Sequence, residues 1–170
     1  DADAAGHEVL KMPEVERAIR ARWGDDVFGD DGRVDRSRVA RRVFAPPPEG
    51  PVEREFLEQL THPRIGELLR REAESMARRG CPAAVLDAAL LFEAGWNEFC
   101  DTVVFVDTPS RLRRARAMMR GWSEEDFAAR EDAQESLNHK RERADVVIDN
   151  ADSPESTQAQ VERFWHSLVG

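Results

Sequence analysis

The chain is 170 residues long with 41% hydrophobic content, a length that normally makes one domain around a single core. Its formal charge of −9 repels nucleic acid and anionic membrane as a whole, so any anion it binds needs a local basic site. Cys81 and Cys100 are too few and too far apart for a CxxC or zinc set, nothing resembles a signal peptide or a spanning helix, and a reducing cytoplasm is the expected compartment.

The chain opens on DADAAGHEVL. At a strand end, Asp1 and Asp3 would point to one side, because strand side chains alternate faces. The plainer alternative is a polar strand-to-helix junction in which Asp3 caps a helix starting near Ala4. In EVERAIRARW, Val15, Ala18, Ile19 and Trp23 recur at helical spacing and predict a core-facing stripe. The acidic GDDVFGDDG has Gly24 and Gly29 at the spacing of a phosphate-cradling loop, but Asp30-Asp31 stands where Lys and Ser or Thr are required. No calcium-loop register fits either, so the stretch reads as a solvated turn. APPPEGP breaks the chain. A helix from about Val52 to Leu60 then runs into THPRIGELLRREAESMARRG, with His62, before Pro63, at a junction between two helices and Gly80 as a stop.

CPAAVLD reads as a buried strand, LLFEAGW as a loop or short turn, and DTVVFVD as a second buried strand of the parallel-sheet kind. Pro109 opens a helix to about Arg120 in which Leu112, Ala115 and Met119 form the apolar stripe, while Arg113, Arg116 and Arg120 share another face. Ser123 caps a polar helix that runs to Arg143; with only Phe127 and Leu137 as large apolar residues it is expected outside the core, as a segment able to move. The strand ADVVID and a helix begun by Ser153-Pro154, with a packing stripe of Val161, Phe164, Trp165 and Leu168, close an α/β pattern.

Lys11 and Lys140 are the only lysines, a bias consistent with codon usage, and the arginine fork suits phosphate oxygens. Arg116 and Arg120, with Lys140, Arg141 and Arg143, bracket the weakly anchored polar segment. Such a bracket is either a solvated face balanced by neighbouring acids, or the donor set that phosphoryl transfer brings to the equatorial oxygens when substrate is present. Asp1 and Asp3 fit the other half of that reaction, since a kinase gains from a carboxylate that orients an attacking hydroxyl and takes its proton. His62 is either structural or part of a site, and Glu93 either binds a substrate hydroxyl or ends a strand in water.

Taken together, DAD (Asp1 to Asp3), HPRI (His62 to Ile65), LLFEAG (Leu90 to Gly95), the strand VVFVD followed by Arg116 and Arg120, Gln134, and KRERADVVIDN (Lys140 to Asn150) resemble the dephospho-CoA kinase family along the whole chain. The resemblance implies an α/β, three-layer P-loop kinase-like fold: a single domain with a parallel sheet, a helical acceptor-binding section at 35–80 and a lid at 121–143. It implies transfer of the ATP γ-phosphoryl group to the ribose 3′-hydroxyl of dephospho-CoA, with Mg²⁺ neutralising the phosphates. On it, Asp3, Arg116 and Arg120 are catalytic; Asp1, His62, Leu91, Phe92 and Glu93 line the dephospho-CoA side; and Lys140, Arg143, Asp149 and Asn150 hold ATP. No metal ligand, nucleic-acid partner or membrane partner is expected within the chain, and oligomeric state is not legible. Two readings stay beside it: a related P-loop kinase for another small alcohol or nucleoside, and a non-catalytic CoA- or nucleotide-binding protein.

Ala89 stands where the family usually has proline before LLFE, and Ala151-Asp152 replaces its small residue and glycine after Asn150. The larger departure is that Asp-x-Asp follows a strand, a GxxxxGK[ST] loop, a helix and a second strand in the family, and this sequence opens at Asp1. The expectation is a longer polypeptide, with these 170 residues inactive alone and with apolar faces open to water. Intact mass of the purified protein checks it: a value roughly 3 kDa, the weight of one βα unit plus a strand, above 19.3 kDa is expected, and 19.3 kDa itself would favour the binding-only reading.

Overall fold

The structure, a computed structural model, describes residues 1–169. The chain divides into two compact units, Asp1–Ala89 and Leu90–Gly170.

The first unit is helical. Helix α1 (Ala2–Val9) begins at Asp1, whose Oδ1 accepts the N–H groups of Asp3 and Ala4 at 2.8 and 3.1 Å. Asp1, not Asp3, is therefore the cap, and the pair stands at a helix start and not at a strand end; two residues apart on a helix, the carboxylates no longer share a side. Helix α2 (Pro13–Trp23) buries Val15, Ile19 and Trp23 as expected, with Ala18 half-buried. The acidic loop is a turn, beginning with a 3-10 segment, Gly24–Val27, and closed by a bridge between Phe28 and Val34; Asp30 and Asp31 lie in water. Asp35 then caps α3 (Arg36–Val43), accepting from Ser37 and Arg38.

The two helices expected on either side of His62 are one, α4 (Glu49–Arg78). Pro63 in its interior removes an N–H, a loss of about 3 kcal/mol in an isolated helix. Burial of Thr61, Ile65, Gly66 and Leu69 around it outweighs that loss, and neighbouring carbonyls gain side-chain donors: Thr61 Oγ1 donates to the Leu57 carbonyl at 2.7 Å and an Arg64 guanidinium N–H to the Leu60 carbonyl at 2.6 Å. Gly6 of α1 faces Ile65 of α4, where an added Cβ would meet Ile65 Cδ1 at 3.6 Å. Residues 81–87, expected as a strand, carry no ladder among the described residues, and Val85 is 87% exposed. Without a paired neighbour an apolar run is extended chain only; its Asp87 carbonyl accepts the Ala2 N–H at 2.9 Å.

In the second unit, residues 89–95 form the expected turn, followed by a short 3-10 segment, Trp96–Phe99. Strand β1 (Val104–Asp107) pairs in parallel with β2 (Val146–Asp149), Val104 opposite Val146 and Asp107 opposite Asp149, which bears out the α/β reading. Between them lie α5 (Ser110–Met119), α6 (Glu124–Asp132) and α7 (Leu137–Arg143); α8 (Pro154–Val169) follows β2. Ser123 caps α6 in a capping box with Asp126, and α6 buries no residue, as its composition implies. The single polar helix expected over 123–143 is broken because Ser136 caps a new one, its side chain accepting from the His139 N–H.

Two expected stripes are displaced. On α5, Ala115 and Met119 are exposed while Ala117 is buried and Arg113 and Arg116 are half-buried, because hydrogen bonds of those two arginines turn the helix. On α8, Val161, Trp165 and Leu168 are exposed and Phe164 is half-buried, while polar contacts from Thr157 and Gln160 hold its first turns to β2. Val106 and Val147 on the sheet are exposed as well.

Two predictions come from the first unit. A Cβ on Gly50 would lie 1.8 Å from the Ala45 carbonyl oxygen. Gly50→Ala is therefore expected to destabilise by about 1–3 kcal/mol despite alanine's better helix propensity, whereas Gly6→Ala, with room for its methyl, is expected to stabilise by up to about 1 kcal/mol; chemical denaturation of the two variants checks the opposite signs. Glu53 accepts two bonds from Arg22 at 3.0 Å and one from Trp23 Nε1 at 2.6 Å, and the Arg22 and then the Trp23 hydrogen bonds hold its carboxyl below the usual value of 4.5. A depressed carboxyl contributes stability that is complete above that usual value and is lost as pH falls through the lowered one. A Tm series from pH 6 downward should show an acid loss that Glu53→Gln reduces.

Candidate functional site

The polar residues of the second unit converge on the carboxyl ends of β1 and β2, the edge at which parallel sheets commonly bind ligands. The register sets Asp107 beside Asp149 and so brings Thr108 and Asn150 together just beyond. Thr108 is buried, and its Oγ1 accepts from Asn150 Nδ2 at 3.4 Å. Arg113 donates to the Thr108 carbonyl at 2.6 Å and pairs with Glu131 of α6. Arg116 donates to the Asn150 carbonyl at 3.3 Å, and Arg120 is exposed at the end of α5. Asp149 Oδ1 accepts the Ala151 N–H, and the Asp149 backbone exchanges two bonds with the Gln160 side chain at 2.8 and 3.0 Å. Thr157 donates to Asn150 Oδ1 at 3.1 Å. Asp107 faces Arg141 at 3.6 Å.

A second cluster joins the 89–95 turn to the end of the polar segment. Lys140 Nζ lies 2.6 Å from Glu93 Oε1 and 3.3 Å from Gln134 Oε1. Glu93 Oε1 also accepts the Glu135 N–H at 2.9 Å. The Arg143 guanidinium covers the Phe92 ring at 4.1 Å and reaches the Glu135 carboxylate at 3.3 and 3.4 Å, and His139 Nδ1 pairs with the same carboxylate. Leu91 is half-buried within the turn, its carbonyl accepting the Trp96 N–H.

In the first unit, Asp3 is exposed in the first turn of α1 with Asp1 as its cap, and His62 is half-buried within α4. Of the residues singled out from the sequence, the structure thus brings together Arg116, Asp149 and Asn150 at the strand ends, and Phe92, Glu93, Lys140 and Arg143 at the turn. Lys140 is enclosed against a carboxylate, not extended into solvent. Thr108, Arg113 as a strand-end anchor, and Glu135 as a shared acceptor were missed. Glu135 carried a signal, since His139 and Arg143 follow it at i+4 and i+8. No group of three or more His, Cys, Asp or Glu side chains able to hold a metal occurs among the described residues, and none of their helices is long and apolar enough to cross a membrane.

A family model described as dephospho-CoA kinase (CoaE) matches residues 1–155. The dephospho-CoA kinase of Symbiobacterium thermophilum is 40% identical over 173 residues, covering 100% of this chain and 70% of the relative. That of Anaeromyxobacter dehalogenans is 36% identical over 174 residues, covering 100% and 80%. Among solved structures, TT1252 from Thermus thermophilus is similar with a TM-score of 0.77 at 32% identity, over 100% of this chain and 84% of that one. The dephospho-CoA kinase from Campylobacter jejuni, with a TM-score of 0.68 at 23% identity over 99% and 83%, shares the fold.

Proposed function

The chain belongs to the dephospho-CoA kinase family, and from that premise we propose that it carries out the final step of coenzyme A biosynthesis in the cytoplasm, transferring the ATP γ-phosphoryl group to the ribose 3′-hydroxyl of dephospho-CoA. The single observation that supports this most is the match over residues 1–155, which takes in LLFE and KRERADVVIDN as well as Asp1 to Asp3.

In the reaction the acceptor oxygen forms a bond to the γ-phosphorus, the bond from that phosphorus to the bridging oxygen breaks, and ADP leaves. Asp3 takes the proton from the attacking hydroxyl, a role its exposed place in the first turn of α1 leaves open to substrate. Asp1 faces the acceptor ribose beside it, and His62, Leu91 and Phe92 line the acceptor side. Arg116 and Arg120 meet the donor phosphates, with Arg143, Asp149 and Asn150 on the nucleoside side. Arg116 enters such a site already oriented by the Asn150 carbonyl, which limits the entropy lost when it meets an oxyanion. Mg²⁺ accompanies ATP in this reading and supplies charge neutralisation on the phosphates. The described residues do not form a cage for it, and a metal brought in on phosphates needs only one or two protein carboxylates.

The test is Asp3→Asn in the full-length protein, assayed with ATP and a panel of acceptors that includes dephospho-CoA and simple nucleosides. Turnover of dephospho-CoA is expected to fall by about 10²- to 10⁴-fold with the acceptor's Kd little changed. Near-normal turnover removes Asp3 from the proton transfer, and preference for another acceptor removes the assignment itself.

A further inference from the structure

Glu93 and Lys140 come from the two stretches that make the sequence most distinctive, LLFE and KRERADVVIDN, and they meet in a pair largely withdrawn from water. The Lys140 side chain is 7% exposed and that of Glu93 20%, although the Glu93 backbone lies at the surface. Solvated ion pairs of α-helical surfaces look different: Lys11 with Glu8 is 59% and 64% exposed. Charges as enclosed as these are stable only with each other and with further hydrogen bonds, and both conditions are met, by Gln134 Oε1 on the ammonium and by the Glu135 N–H on the carboxylate. Arg143 over Phe92, tied to Glu135, closes the cluster on its other flank.

The arrangement gives the two side chains a structural duty to each other, whatever ligands they also meet. The Lys140 ammonium is thus ion-paired before any phosphate arrives, and Glu93 Oε1 holds both Lys140 and a backbone N–H, while the second carboxylate oxygen keeps its acceptor capacity. α6 buries no residue and is tied to α5 by more exposed pairs, Arg113 with Glu131 and Arg114 with Glu124.

We infer that Glu93 and Lys140 form a latch that fixes residues 134–143 onto the 89–95 turn, so that both are positioning residues for phosphoryl transfer. The inference rests on the kinase reading for its catalytic consequence but not for the latch itself.

The experiment compares full-length wild type, Glu93→Gln, Lys140→Gln and the double variant in steady-state kinetics and in amide hydrogen exchange over 134–143. The latch predicts that each single change lowers kcat by about tenfold or more, that both move the same parameters, and that the double variant is no worse than the worse single. It also predicts faster exchange of the Glu135 amide in all three. Independent contacts predict instead a rise in the dephospho-CoA KM for Glu93→Gln, a rise in the ATP KM for Lys140→Gln, multiplication of the two in the double variant, and unchanged exchange; that outcome overturns the latch. The double variant leaves no buried charge unpaired, so if a single variant fails to fold, protection of 134–143 in the double one decides. Exchange needs no substrate. Loss of protection in variants of a protein that proves inactive on dephospho-CoA would sink the kinase reading and leave the latch standing.

Discussion

The parallel register of two four-residue strands governs the second unit. Pairing Asp107 with Asp149 ends β1 and β2 at one level, and the Asn150 N–H extends the ladder to the Asp107 carbonyl at 2.8 Å. A slip of one residue would turn buried Ile148 to the opposite face and separate Thr108 from Asn150. Parallel strands also cannot be joined by a hairpin, so the chain between them must cross over, and the crossover is where α5, α6 and α7 lie with nearly all the arginines of this unit. The topology that pairs the strands is thus the same constraint that delivers Arg113 and Arg116 to the strand ends. α8 answers from the other side through Thr157 and Gln160.

In the first unit the controlling term is burial along α4. Its sequence contains a proline in mid-helix and a glycine in its first turn, each a poor helix residue, and both sit where packing decides. Gly50 is there because the Ala45 carbonyl leaves no room for a side chain, and Pro63 is tolerated because Thr61, Ile65 and Leu69 are buried on either side of it. Helix propensity is worth about 1 kcal/mol at such positions for glycine and a burial of Leu or Ile about 1.5–3, so the core overrules the local preference.

What could be read from the sequence follows the same division. Patterns set by one element alone were legible: the Val15, Ile19, Trp23 stripe, the Ser123 cap, the β-branched runs that became β1 and β2, and the turn at LLFEAG. Patterns that depend on a partner were not. Residues 81–87 have strand composition, but a ladder is a property of two segments. Hydrophobicity places the α5 stripe on Leu112, Ala115 and Met119, yet two half-buried arginines hold that helix through backbone carbonyls, a bond type that no hydrophobic periodicity reports. At Asp1 and Asp3 the identities were informative and the geometry was not, because a carboxylate spaced two residues from another fits a strand edge and a capped helix equally well. For the site, the residue classes follow from the family's motifs, whereas the pairing of Glu93 with Lys140 joins two motifs far apart in the chain and exists only in the fold.

The choice between arginine and lysine carries the last step. Arginine side chains in this chain repeatedly address backbone carbonyls, at the ends of elements for Arg38 to Phe28, Arg113 to Thr108 and Arg116 to Asn150, and beside Pro63 in mid-helix for Arg64 to Leu60. Their planar forks carry spare donors that water or a ligand can take up at a half-exposed position. Lys140 stands where that is no longer possible. Enclosed at 7% exposure, a guanidinium would bring five donors in one plane to acceptors, Glu93 Oε1 and Gln134 Oε1, that converge on a single point, and a donor left over in such a place loses its hydration without return. A compact ammonium on a flexible stem meets convergent acceptors better. A chain-wide preference for arginine does not account for a lysine retained at the one enclosed cation among its described residues, and the geometry of the turn does.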